Sequence, residues 1–295
     1  MAFLLFPVKE LMNVAVRLSG KEVAARLDEE TGRRANALTQ RGNVPTLAIV
    51  RVGQRPDDLS YERTVTKRAE RLGIAVRPFA LPSDASQEEL LDVIETVNAD
   101  AAIHGCLMFR PLPRHMDEKA VCDALSPGKD IDGISAASLA SVFAGEGTGF
   151  APATAQACLE MLDFHGVELE GKRMAVIGRS LVIGKPVAMM ALARNATVTL
   201  CHSKTRDLAN VMREADVVIC ATGRAKAYGA ECFGAGQVVL DVGINFDEEG
   251  NLCGDVDFAA VEPLVSAITP VPGGLGSVTT SVTLAHVVRA AETMG

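Results

Sequence analysis

The sequence predicts an α/β protein with parallel sheets, divided into two units. Short apolar runs alternate with segments of helical periodicity along most of the chain, and the links between them are short. A glycine-bounded loop, 178–184, stands between one such run and an Ala/Met-rich helical segment. A chain of 295 residues is long enough to bury two cores.

The composition excludes several classes of protein. A net charge of −8 gives no general affinity for nucleic acid or anionic membranes, and no apolar run approaches the length of a membrane span. The segment 2–6 is too short for a signal peptide. The seven cysteines form no C-x-x-C pair, so we expect buried reduced thiols, no metal site and a cytoplasmic protein.

Periodicity and turn residues define the elements of the first half. Glycines and prolines separate the segments, as at Gly53, Gly73 and 111–113. The pattern predicts helices over 21–41, 57–72, 87–97 and 116–125, and strands over 46–52, 75–81 and 102–108. This alternation is typical of a parallel sheet covered by helices.

A new series of elements begins after a candidate linker, 145–149. It predicts helices over 154–165, 184–194, 206–214 and 281–294, strands over 173–177, 197–200, 217–221, 237–242 and 265–268, and a hairpin over 245–254. This order predicts a Rossmann-like doubly wound parallel sheet. We predict a first domain of 1–147, completed by the C-terminal helix 280–295, and a second of 148–279.

The glycine loop is a candidate anion site. It leads into a helix with Pro186 in its first turn, so backbone N–H groups and the helix dipole converge there. Its glycines are six residues apart, which is not the G-x-G-x-x-G fingerprint, and a strand–helix turn with two glycines is, by itself, more often only a turn. No acid follows the next strand, where Lys204 stands, and Arg179 lies in the loop. These cations favour NADP over NAD, unless they are only solvated surface residues.

The order of motifs resembles the bifunctional methylenetetrahydrofolate dehydrogenase/methenyltetrahydrofolate cyclohydrolase (FolD-type) family. In the second half, the motifs that carry the resemblance are 178–180 with Gly184 and Pro186, 196–199 followed by 201–203, 241–245, 254–256 and 269–274. The first half carries 52–53 with Tyr61 eight residues later, 111–113 and 129–133. The resemblance covers nearly the whole chain.

The resemblance implies two α/β domains around a cleft, with NADP on the second domain, folate in the cleft and a homodimer. Tyr61 and Asp132 would be the catalytic-site residues of the folate side, with Tyr61 stacking on the pterin and Asp132 binding its N–H groups. From its residue type alone, Tyr61 could also be a core or helix-face aromatic. The Asp132-Gly133 pair alone favours a turn residue, and only the family position favours a ligand contact. The cofactor contacts would be Gly178, Arg179, Ser180, Gly184, Ser203, Thr222, Gly223, Ile244 and Thr279. The cleft would also contain Val65, Phe109, Gly273 and Gly274.

The chain departs from the family pattern on the folate side. The family's catalytic lysine, four residues after the tyrosine, is replaced by Val65, and its glutamine is replaced by Phe109. Lys67 lies about 200° around the helix from position 65 and does not substitute. Arg110 stands where the family has leucine. Smaller departures are Ala153, Ala155 and Ser277.

These departures predict loss of one activity. Hydrolysis of a methenyl bridge needs general acid–base groups, whereas hydride transfer depends more on orientation. We therefore expect an NADP-dependent methylenetetrahydrofolate dehydrogenase whose cyclohydrolase step is weak or absent. The alternatives are an ordinary bifunctional enzyme, a catalytically silent nucleotide- or pterin-binding homologue, and an NADP oxidoreductase with a substrate other than folate.

Overall fold

A computed structural model describes residues 15–146 and 148–294. The first half contains β1 (Val16–Arg17), α1 (Gly20–Thr39), β2 (Thr46–Val52), α2 (Pro56–Arg71), β3 (Ala75–Leu81), α3 (Gln87–Ala99), β4 (Gly105–Met108), α4 (Glu118–Ala124) and α5 (Ala136–Ala144). The second contains α6 (Ala153–Phe164), β5 (Arg173–Ile177), α7 (Gly184–Leu192), β6 (Thr197–Cys201), α8 (Leu208–Arg213), β7 (Val217–Cys220), a 3-10 turn (Ala230–Cys232), β8 (Val238–Asp241), β9 (Asn245–Phe246), β10 (Leu252–Cys253), α9 (Phe258–Val261), β11 (Ala267–Ile268) and α10 (Leu275–Met294). The segment 2–6 lies outside the described residues.

A three-stranded parallel sheet forms the centre of the first half, in the order β3-β2-β4. Its central strand β2 is a continuous apolar run, and six of its seven residues are buried because helices cover both faces. The edge strand β3 is more exposed and contains Pro78, a residue that sheets accept at their edges. The boundaries of β2 and β3 agree with the sequence prediction.

Helix α2 carries Tyr61 and Val65, two of the folate-side residues named above. Pro56 occupies its first turn together with Asp57 and Asp58, and Arg68 and Arg71 lie in its last turn. This charge distribution complements the helix dipole, and a proline costs no hydrogen bond at a helix start. The helix buries only a narrow stripe, Val65 and Ala69, against the sheet.

A six-stranded parallel sheet forms the second half, in the order β1-β11-β8-β7-β5-β6. After β5 the chain builds β6 on one side and then returns to build β7 on the other side of β5. The switch in direction next to β5 opens the crevice in which doubly wound sheets bind their ligands. The predicted fold class, α/β with a Rossmann-like second unit, is therefore confirmed.

Two elements join the halves. Strand β1 lies at the start of the chain but pairs with β11 in the six-stranded sheet. Helix α10 is longer than predicted and packs against α1, α6, β2 and β4. The sequence predicts that residues 1–147 form one domain. Strand β1 is an exception, because among the described residues it pairs only with β11, in the sheet of the second half. The remaining domain limits stay a prediction.

All seven cysteines are free and buried. Burial raises the pKa of the thiols, to about 12 for Cys106 and Cys158, so these groups stay protonated and behave as small apolar side chains. In the described ranges, no helix is long and apolar enough to cross a membrane. The part of the chain that the structure describes also contains no group of three or more His, Cys, Asp or Glu side chains arranged to hold a metal ion.

Candidate active site

The glycine loop lies at the switch point of the six-stranded sheet. Gly178 has a φ of 126°, and a Cβ atom there would lie 2.2 Å from the carbonyl oxygen of Ala221, at the end of the neighbouring strand. A Cβ at Gly184 would lie 2.0 Å from the carbonyl oxygen of Gly178. Only glycine fits either position, so the loop packs closely against the sheet edge. Its backbone N–H groups therefore lie near the start of α7.

Exposed side chains surround this loop. Arg179 and Ser180 are exposed, and Ser180 fixes the loop because its hydroxyl accepts a hydrogen bond from the N–H of Ile183. Ser203 and Lys204 follow β6, the next strand of the sheet, and are also exposed. The end of β6 contains no acid, and cations and hydroxyls are available to an anionic ligand.

Two buried aspartates hold the loops on the other side of the switch point. Asp255 accepts hydrogen bonds from the N–H groups of Thr222, Gly223 and Arg224 and from the side chain of Asn245. This carboxylate therefore ties the loop after β7 to the loop after β8. Asp255 lies in the sequence motif 254–256, but its role is not evident from the sequence, because the partners of a buried carboxylate depend on the tertiary fold.

Asp241 is the second of these aspartates. It accepts hydrogen bonds from the N–H groups of Gly243, Asp255 and Val256. Burial raises its pKa to about 6, against the lowering effect of these backbone donors. A Cβ at Gly254 would lie 1.9 Å from an Asp241 carboxylate oxygen, so the glycines of both motifs make room for the carboxylates.

A cavity of about 230 Å³ connects these loops to the Pro/Gly crossing before α10. Ile244, 68% exposed, lines it on one side, and Gly273 and Gly274 line it on the other. Gly273 has a φ of 107°. A Cβ at Gly274 would lie 2.6 Å from the Pro270 carbonyl oxygen. The structure thus brings together a predicted cofactor residue and two predicted cleft residues. Thr279 lies in the first turns of α10, where its hydroxyl donates to the Leu275 carbonyl.

The folate-side residues form a second group. The rings of Tyr61 and Phe109 lie with their centroids 5.6 Å apart, and Tyr61 is 37% exposed. Val65 is fully buried and Phe109 nearly so, in one apolar cluster with Ile131. Val65 therefore lies beneath the predicted cleft surface rather than on it, because α2 turns this stripe towards the sheet. Burial raises the pKa of the Tyr61 hydroxyl, which stays a neutral donor at neutral pH.

Asp132 faces the same region. Its side chain is 26% exposed, and its nearest cation is Arg110, with Nη2 3.9 Å from Oδ2. Burial raises the pKa of Asp132 to about 6. The turn is instead organised by Asp130, which accepts hydrogen bonds from the N–H groups of Ile134 and Ser135. The Asp132 carboxylate is therefore available to a ligand, which its residue type alone did not indicate.

A doubly wound parallel sheet with a glycine loop at its switch point defines a dinucleotide-binding α/β protein, here joined to a second α/β unit. Comparison with protein families gives the particular family. Residues 18–132 match the tetrahydrofolate dehydrogenase/cyclohydrolase catalytic domain, and residues 152–294 match the NAD(P)-binding domain of the same family. The chain belongs to this family, and the predicted resemblance is confirmed.

Individual relatives agree over nearly their full length. The chain is 49% identical to the bifunctional protein FolD of Clostridioides difficile, covering 93% of this chain and 96% of that protein. It is 48% identical to the FolD of Carboxydothermus hydrogenoformans, covering 95% and 98%.

Solved structures show the same similarity. The bifunctional enzyme FolD from Campylobacter jejuni superposes with a TM-score of 0.92 at 35% identity, covering 95% of this chain and 99% of that chain. The Trypanosoma brucei methylenetetrahydrofolate dehydrogenase-cyclohydrolase, solved with NADP and an inhibitor, has a TM-score of 0.88 at 33% identity, covering 95% and 98%.

Proposed function

We propose that this protein oxidises 5,10-methylenetetrahydrofolate to 5,10-methenyltetrahydrofolate with NADP, and that its cyclohydrolase step is weak or absent. The observation that carries the proposal is the burial of Val65 and Phe109 beside Tyr61. Neither side chain can take or give a proton at the two positions where the family has a lysine and a glutamine.

The basic residues nearest to this position do not replace the lysine. Lys67 is exposed on another face of α2. Arg68 donates hydrogen bonds to the Asp28 carboxylate and to the carbonyl of Ser277, so its guanidinium already has acceptors. An arginine also stays protonated at neutral pH and is a poor general base. These contacts support loss of the hydrolytic step and leave the rest of the site intact.

The nucleotide side supports NADP. The glycine loop and the N-terminus of α7 suit the pyrophosphate, and Arg179, Ser203 and Lys204 suit a further phosphate where NAD sites usually carry an acid. The Trypanosoma brucei relative was solved with NADP. The nicotinamide, when bound, supplies the hydride acceptor. The protein would contribute orientation: Tyr61 stacking on the pterin, Asp132 accepting its N–H groups, and Ile244 with the Gly273–Gly274 turn closing the other side.

A paired assay on one preparation tests the proposal. NADPH formation from methylenetetrahydrofolate is followed by fluorescence, and methenyltetrahydrofolate loss is followed by absorbance, each against a blank without enzyme. We expect NADPH formation with hydrolysis close to the blank. Asp132→Asn serves as the variant with impaired folate recognition and should lose the first signal.

The alternative with the best support is the ordinary bifunctional enzyme, because relatives at 48% and 49% identity are named bifunctional. Hydrolysis well above the blank would favour it and would contradict loss of the cyclohydrolase step. Binding of NADP and folate with neither signal would instead favour a silent homologue. The homodimer and the cytoplasmic location implied earlier stay predictions.

A further inference from the structure

Arg110 lies between two carboxylates at the end of β4. Its Nη2 atom is 3.9 Å from Oδ2 of Asp132, and its Nη1 atom is 3.6 Å from Oε1 of Glu118. Both distances exceed those of a direct hydrogen bond, so the guanidinium acts on both groups mainly through its charge. The Arg110 side chain is only 23% exposed, which limits screening by solvent.

The arginine is fixed in this place by the segment that follows it. Glu118, the first residue of α4, accepts a hydrogen bond from the N–H of Leu112 at 2.8 Å. The carboxylate that attracts Arg110 is therefore tied to the backbone two residues beyond it. The preceding residue, Phe109, is buried in the apolar cluster under Tyr61. The segment thus buries one side chain and directs the next towards Asp132.

Three charged or titratable groups act on Asp132. Arg110 favours its ionised form, whereas Asp130, on the same turn, disfavours it together with burial. Tyr61 faces Asp132 from α2 as a neutral phenol. Asp130 itself accepts hydrogen bonds from two backbone N–H groups and from the Ser135 hydroxyl, so its side chain is held in the turn. Arg110 is the cation that opposes these effects.

We propose that Arg110 is a positioning residue that acts through Asp132, because its charge keeps the Asp132 carboxylate ionised for contact with the folate. The inference rests on the proposed function, in which Asp132 accepts the pterin N–H groups. The family resemblance implies lysine at position 65 and leucine at position 110. This chain has Val65 and Arg110 instead, so a fixed positive charge lies beside Asp132 although the titrating one on α2 is lost.

The ionisation of Asp132 can be measured directly in the full-length protein without folate. Aspartate labelled with ¹³C at the side-chain carboxyl gives one NMR signal per residue, and Asp132→Asn assigns the signal of interest. We expect it to titrate near pH 6. Arg110→Leu and Arg110→Gln should move the midpoint upward by about one unit, because a cation at this distance typically lowers a carboxyl pKa by that much or more. Arg110→Lys should restore most of the shift.

Arg114→Leu is the matched control, since it removes an exposed arginine four residues further along the same segment. It should leave the Asp132 midpoint unchanged. An unchanged midpoint in both Arg110→Leu and Arg110→Gln would overturn the inference, and a shift of equal size in Arg114→Leu would do the same.

Kinetics then separate the inference from the proposed function. The KM for methylenetetrahydrofolate should rise as the pH falls through the Asp132 midpoint. In Arg110→Leu and Arg110→Gln, this rise in KM should occur at a higher pH, displaced by the same number of pH units as the NMR midpoint. The kcat should change little. An NMR shift with no matching KM shift would overturn the role of Asp132 in folate recognition, while the charge relation between Arg110 and Asp132 would stand.

Discussion

The aromatic rings of Tyr61 and Phe109 are tilted by 39° with their centroids 5.6 Å apart, and a nearby valine on the helix of Tyr61 has no exposed surface. That valine, Val65, lies one helical turn after Tyr61 and shares its apolar cluster with Phe109. An ammonium group placed at position 65 would enter apolar surroundings, and Phe109 would offer it no acceptor. Under the proposed function, a return of hydrolysis therefore requires both Val65 and Phe109 to change.

Val65→Lys alone should restore little hydrolysis of methenyltetrahydrofolate and should lower the free energy of unfolding by about 3 kcal/mol, because it buries an unpaired charge. Val65→Lys with Phe109→Gln should hydrolyse faster and lose less stability. Val65→Met is the control, since it adds a similar stem without the charge. Rapid hydrolysis by Val65→Lys alone would contradict the requirement for both changes.

Gly178→Ala should weaken NADP binding at least tenfold and destabilise the second half of the chain. The added methyl would meet the Ala221 carbonyl oxygen at 2.2 Å, and the backbone would keep a φ of 126° that alanine rarely adopts. Gly171→Ala is the control, since Gly171 has a φ of 70° but no atom within 4 Å of the added Cβ. Calorimetric titration with NADP measures the difference, and equal affinities in the two variants would argue against a tight loop at this position.

Asp255→Asn should loosen the loop after β7 and weaken NADP binding. The amide keeps only one oxygen, so its NH2 group would face either the N–H groups of Thr222 and Gly223, which now donate to Oδ2, or that of Arg224, which now donates to Oδ1. We expect a loss of about 2–4 kcal/mol in the free energy of unfolding. Asp207→Asn removes one charge from an exposed aspartate of the same half that makes no cap hydrogen bond, and it should cost little. Urea unfolding of both variants provides the comparison.

His286 should make stability depend on pH. It is buried on α10 and donates from Nδ1 to the Ile131 carbonyl, and burial lowers its pKa to about 4. Between pH 6.5 and 4 the unfolded chain binds a proton there that the folded chain does not, so stability falls as pH falls through this window. His286→Asn keeps a donor near Nδ1 but does not titrate.

The parent should therefore lose about 3 kcal/mol relative to His286→Asn between pH 7 and 4. The comparison between the two proteins is needed because Asp132 and Asp241, whose pKa values are raised to about 6, give the opposite pH dependence in both. Urea titrations at several pH values measure this difference. Parallel stability curves would contradict the prediction, because they would show that the ring binds its proton in the folded protein at the same pH as in the unfolded chain.

The local sequence pattern was sufficient to predict three strands, the buried strands β2 and β5 and the more exposed edge strand β3. The limits of β2, β3 and β5 follow from their apolar runs. Strand β1 is not evident from the sequence, because two residues are too few to show an alternation of apolar and polar side chains. Only its pairing with β11 defines it as a strand. Helix α5 was also missed, although Ser135 caps its start and Gly145 ends it in the left-handed conformation. Those two capping signals were present in the sequence.

The site divides in the same way. The glycine loop was found from its strand-loop-helix setting, and its requirement for glycine follows from contacts the structure shows. Asp132 and Asp130 lie two residues apart in similar local sequence, and either could have organised the turn. Their hydrogen bonds differ because Asp130 turns towards the N-terminus of α5, whereas Asp132 turns towards Arg110. Such a choice depends on the fold around the turn.

The crossing of the chain between its two halves affects how such proteins can recombine. Strand β1 completes the nucleotide-binding sheet before α1 begins the other half, and α10 returns from the nucleotide-binding half to pack on α1. Consider a chimaera that takes its first half from one relative and its second half from another, joined near position 147. Its β1 would then pair with a sheet from the other relative, and its α10 would pack on an α1 from the other relative. A functional chimaera between two relatives therefore needs matched donor segments at the start, the middle and the end of the chain. The two halves are consequently expected to diverge together rather than as exchangeable modules.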